Sequence, residues 1–60
     1  MKTKAPQFVF TVIAIYEDDY QRFAEDYAAA NAAEAEAIAL ASHPGLIIAG
    51  VIDMRGEVVS

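Results

Sequence analysis

Residues 8–16, Phe-Val-Phe-Thr-Val-Ile-Ala-Ile-Tyr, are β-branched or aromatic almost throughout, which suits a packed, pleated strand. Alternation places Phe8, Phe10, Val12, Ala14 and Tyr16 on one side, and Val9, Thr11, Ile13 and Ile15 on the other. Both sides are apolar, so the pattern predicts a central strand covered on both faces. Residues 46–53, Leu-Ile-Ile-Ala-Gly-Val-Ile-Asp, predict a second strand of the same kind.

Polar residues then divide the chain. Glu17-Asp18-Asp19-Tyr20-Gln21 predicts a hairpin turn, because aspartate side chains bond nearby backbone amides. No glycine is present there to supply a positive φ. Residues 22–30 fit two templates. Tyr20, Phe23, Ala24 and Tyr27 lie at helical spacing, while Phe23, Glu25, Tyr27 and Ala29 share one face of a strand. Asn31-Ala32-Ala33-Glu34 favours the strand. It reads as a capping box, with Asn31 accepting from the third helical amide and Glu34 reaching back to the Asn31 amide. A helix starting at Ala32 leaves 22–30 as an antiparallel return strand; the rival is one long helix from about Asp19 to Ser42.

Residues 32–42 predict a helix under either reading, since alanine is the best helix former and Glu34 and Glu36 suit its positive end. Ala37, Leu40 and Ala41 form the expected inner face, with Ile38 at its edge. His43-Pro44-Gly45 ends the helix. Met54-Arg55-Gly56 predicts a turn, and residues 57–59 a short edge strand.

The order strand, strand, helix, strand predicts a small α+β domain of ββαβ type, an antiparallel sheet with one helix packed on one face. At 60 residues the chain makes one domain, 1–60, with residues 1–6 as a flexible tail. So small a domain has a thin stability margin, and with no cysteine it has no disulfide to supplement packing. One eleven-residue helix is too small to cover two apolar sheet faces. An uncovered face marks an interaction surface, and a second copy of the chain, giving a homodimer, is the simplest cover.

Charge narrows the function. The net charge is −5 and the pI about 4.4, which disfavours direct binding to nucleic acid or anionic lipid. The apolar run after Lys2 and Lys4 is short, meets Glu17-Asp18-Asp19 without a cleavage site, and falls well below a membrane span, so a cytoplasmic protein is expected. Catalysis finds little support. His43 is the sole histidine, Ser42 beside it faces elsewhere on a helix, and no phosphate-cradling glycine loop occurs. As a cation His43 would favour the helix C-terminus. A calcium loop beginning at Asp18 puts Phe23 where glycine is required. No catalytic residue, metal ligand or cofactor site is therefore expected, and the reading is a protein that is not an enzyme.

What remains is an acidic, aromatic stretch. Residues 17–36 hold seven acidic residues against Arg22 alone. Such a surface keeps an apolar domain dispersed. It also suits docking on a basic groove, with Glu17, Asp18, Asp19, Glu25 and Asp26 supplying charge and Tyr20 and Tyr27 as aromatic anchors for arginine. Spaced carboxylates on a rigid face compete with DNA phosphates for such a groove.

The succession of apolar strand, acidic turn, Arg-Phe strand, Ala-Asn-Ala-Ala-Glu-Ala-Glu-Ala helix, His-Pro-Gly stop and apolar strand resembles the small proteins of phages and mobile elements. In size, charge and compactness the chain is similar to anti-CRISPR proteins, among them those acting on type I systems. The resemblance implies an inhibitor in the bacterial host cytoplasm that imitates DNA on a basic nucleic-acid-binding protein, such as a Cascade subunit. It carries over no residue role. Two other expectations stand beside it: a homodimeric assembly module working through an apolar sheet face, and an antitoxin- or anti-repressor-like regulator.

Overall fold

The computed structural model describes residues 8–60. The tail expected over 1–6 lies outside the described residues. Three strands and one helix follow in the order β1 (Phe8–Tyr16), β2 (Arg22–Ala29), α1 (Ala32–Ser42) and β3 (Leu46–Ile52). The sheet order is β2-β1-β3, with both pairings antiparallel. The domain is thus a small α+β fold of ββαβ order, and its most apolar strand is the central one.

The hairpin, not the long helix, joins β1 to β2. The Tyr16 amide donates to the Gln21 carbonyl (2.9 Å) and the Tyr20 amide to the Tyr16 carbonyl (2.8 Å). In the absence of glycine, Tyr20 itself takes the left-handed conformation, at φ 59°. Asp19 Oδ1 accepts from the Gln21 amide at 3.1 Å, a local bond of the kind that makes aspartate a turn former.

At the helix start, Asn31 Oδ1 accepts from the Glu34 amide at 2.8 Å. Glu34 reaches one residue further back than expected: its carboxylate accepts from the Ala30 amide (2.7 Å), not that of Asn31. The two bonds fix the direction in which the chain leaves β2. Asn31→Ala should therefore cost about 1 kcal/mol, read from the urea midpoint. The C-terminal end is closed by the His43 amide, which donates to the Ala39 carbonyl (2.9 Å), and Gly45 turns the chain at φ 93°.

One side of the sheet meets the helix. Phe10, Val12 and Ala14 of β1, Phe23 and Ala29 of β2, Leu46 and Val51 of β3, and Ala35 and Ala39 of α1 form the core. The expected inner face of α1 is corrected: Ala37, Leu40 and Ala41 are exposed, while Ala35 and Ala39 are fully buried and Ala32 and Ile38 flank them. Alanines surround this helix on every side, so hydrophobicity alone does not choose its face. The Asn31 cap and the short link from β2 set the rotation instead.

Coverage of β1 on both faces is corrected as well. Only its Phe10–Val12–Ala14 side lies under the helix. The outer edge of β3 is occupied by residues 58–60. The Val51 amide donates to the Ser60 carbonyl (2.9 Å), the Val59 amide to the Val51 carbonyl (2.8 Å), and Val58 bridges Ile52. No helix among the described residues is long and apolar enough to cross a membrane.

Candidate functional site

Cross-strand register identifies the side that the helix leaves bare. Val9 lies opposite Ala28, Thr11 opposite Asp26, Ile13 opposite Ala24, and Ile15 opposite Arg22. On the other flank Thr11 faces Ile52, Ile13 faces Gly50, and Ile15 faces Ile47. Directly opposed residues share a face. The Thr11 hydroxyl donating to Asp26 Oδ1 at 2.6 Å confirms this pairing. Val9 and Ile47 are nearly half exposed (46% and 47%), and Ile13, Ile15 and Ile52 are half-buried only by their neighbours. Strand spacing and rise give this apolar face a footprint of about 350 Å².

A register shift between Ile13 and Ala14 lets β3 keep both of its roles. Leu46, Ile48 and Val51 turn to the core, and Ile47 and Ile52 to the open face. A strict alternation through Ala49 would have sent Leu46 and Val51 to opposite sides.

The seven residues expected to bind a partner fall in three places. Glu17, Asp18, Asp19 and Tyr20 stand together at the hairpin tip, all exposed, with Tyr20 71% exposed. Glu25 and Tyr27 lie on the helix side of edge strand β2, opposite Val12 and Phe10. Burial, and next the Glu25 carboxylate, push the Tyr27 phenol above its ordinary range, so it stays neutral. Asp26 lies on the opposite, open side. Thr11, its partner, is five residues from the turn, or about 17 Å along the strand. The structure therefore gathers the tip but not one continuous acidic face. None of the five acidic residues forms an ion pair among the described residues.

His43 sits in the corner between the helix end and the hairpin. Its ring packs edge-on against Phe23 (centroids 4.8 Å apart), and Nδ1 lies 3.4 Å from the Tyr16 hydroxyl. Phe23 in turn meets Tyr16 at 5.9 Å and 89°. This aromatic triad closes the corner between the hairpin and the helix end, and its role there is packing.

At the far end of the sheet, Phe8, Phe10, Asp53, Met54, Arg55 and Val59 line an open hollow of about 360 Å³. Its carboxylate is already engaged. Asp53 Oδ1 accepts from the Arg55 and Glu57 amides (2.9 and 3.0 Å), and Arg55 lies 3.7 Å from Asp53 Oδ2. The Glu57 amide bond is the main reason the Asp53 carboxyl sits below the usual carboxylate range. A carboxyl depressed in the fold adds stability above its unfolded value, about pH 4, and loses it as pH falls through the lower folded value. The 53–57 turn should thus loosen below about pH 4, followed by the Arg55 and Glu57 amide shifts, and Asp53→Asn should remove that pH dependence.

Among the described residues no group of three or more histidines or carboxylates gathers to hold a metal ion. The chain matches no protein-family model, no curated protein and no solved structure.

Proposed function

We propose that the protein is a non-enzymatic binding module that docks its open sheet face, and the acidic tip beside it, on another protein. The observation that carries this is the apolar face of Val9, Ile13, Ile15, Ile47 and Ile52 that the helix leaves bare, ending at hairpin carboxylates that form no ion pair among the described residues. An exposed apolar patch with a polar rim suits protein–protein contact. Its footprint of about 350 Å² is less than half the roughly 800 Å² that each partner contributes to a standard interface. The rim must therefore contribute, and here the rim is acidic. The matching partner presents an apolar patch flanked by arginine and lysine.

Nucleic-acid-binding proteins have such surfaces, and carboxylates held on a rigid hairpin compete with phosphates for them. The resemblance to anti-CRISPR proteins points to the DNA-reading subunit of a type I Cascade in the bacterial cytoplasm, where the module would exclude DNA. Glu17, Asp18, Asp19 and Tyr20 form the charged contact in this reading, and Asp26 extends it along the face. Glu25 and Tyr27, on the helix side, contribute least.

Titration of purified type I Cascade tests it, with DNA binding as the readout. The native chain should displace DNA, and less so as salt rises. A variant carrying Ile13→Glu and Ile47→Glu, and one with Glu17, Asp18 and Asp19 neutralised, should each bind at least about tenfold more weakly, with circular dichroism unchanged. Binding unaffected by either set of substitutions and by salt would refute the reading.

A further inference from the structure

The edge of β2 is the one sheet edge left without a neighbour among the described residues, because the β3 edge pairs with residues 57–60. The Tyr16 amide bonds to Gln21, and alternation in an antiparallel ladder then assigns the inward bonds to Phe23, Glu25, Tyr27 and Ala29. The amides and carbonyls of Arg22, Ala24 and Asp26 consequently point away from β1, toward solvent. All three residues are exposed. The strand has no proline, glycine, lysine or bulge; of the usual guards of a free edge it carries only charge, at Arg22, Glu25 and Asp26.

We infer that two copies of this chain join edge to edge through β2, antiparallel and centred on Ala24, into a continuous six-stranded sheet. The charges select this register. Centred on Ala24, Arg22 of each protomer stands directly opposite Asp26 of its partner, twice by symmetry, and Ala24 meets Ala24. The three residues then exchange six backbone hydrogen bonds. Centring on Glu25 or Asp26 sets like carboxylates against each other and is penalised. Asp26 Oδ1 is held by the Thr11 hydroxyl, while Oδ2 has no bond within the described residues, and the residue is exposed. The two-fold axis runs normal to the sheet, so both helices lie on one side and both bare apolar faces on the other. The joined face doubles to about 700 Å², close to what a standard interface asks of one partner. This deepens the docking reading but does not rest on it, since edge pairing is read by mass and docking by displacement of DNA.

Sedimentation equilibrium over a series reaching millimolar chain tests the inference. The native protein should approach the dimer mass. Arg22→Asp and Asp26→Arg should each weaken dimerisation by at least about tenfold, because each opposes like charges at both symmetric positions. An equimolar mixture of the two should recover the dimer mass, since each mixed pair is again of opposite sign. Ile47→Glu, on the open face, should leave the dimer intact. A native chain that stays monomeric, a mixture that does not recover, or a dimer lost with Ile47→Glu and kept with Arg22→Asp would each overturn it. Circular dichroism of every variant separates lost pairing from lost folding.

Discussion

Replacing Phe23 by alanine should leave the chain largely unfolded at room temperature. Phe23 is 7% exposed and joins three elements at once, packing in the core and meeting the rings of Tyr16 and His43. Removing a buried phenylalanine costs about 3–5 kcal/mol. A domain of this length has about 3–9 kcal/mol in total, so one substitution consumes most of the margin. No disulfide is present to hold the rest together. Far-UV circular dichroism and urea titration read the result directly. A variant with the native spectrum and an unchanged midpoint would show that the aromatic corner is dispensable.

Ala39→Leu should be nearly as damaging, for the opposite reason. Ala39 is fully buried where α1 crosses the sheet. Three added carbon atoms must either push the helix away or distort the side chains of the sheet, at about 1–3 kcal/mol. Ala37→Leu, two residues earlier and exposed, should change stability by no more than about 0.5 kcal/mol. Thermal melts of the two variants side by side decide which face of the helix is buried. Equal melting temperatures would put the seam elsewhere.

That comparison also marks where the sequence stops being informative. The strands were legible because β-branched and aromatic runs at 8–16 and 46–52 have few other uses. The hairpin was legible only through its neighbour: residues 22–29 suit helix and strand alike, and the Asn31–Glu34 cap decided between them. The buried face of α1 was not legible. With alanine on all sides the pattern has no direction, and the rotation follows from where the cap and the link to β2 hold the first turn. The hairpin tip carries a related lesson. Without glycine a tight reversal looked handicapped, yet Tyr20 adopts φ 59° and remains exposed.

The candidate site was legible in kind more than in place. Alternation shows that one helix must leave one side of β1 bare; that the bare side is the one of Ile13 and Ile15 follows only from where the helix packs. The scattering of the carboxylates is a matter of register: Glu25 and Asp26 are neighbours in sequence and therefore point to opposite faces of β2. Clustering along a chain becomes clustering in space in a turn, as at Glu17–Tyr20, and is undone in a strand.

The placement of β1 in the middle of the sheet bears on how the protein comes into being. Its two partners reach it on different terms. β2 follows after a five-residue turn, so this pair closes locally and fast, while β3 must cross the whole helix to arrive. During synthesis the first hairpin is complete while β3 is still being made, and the second edge of β1, its most apolar strand, then has no neighbour. A nascent chain at that stage is most exposed to pairing with other chains, and the acidic tip gives it mutual repulsion during that interval.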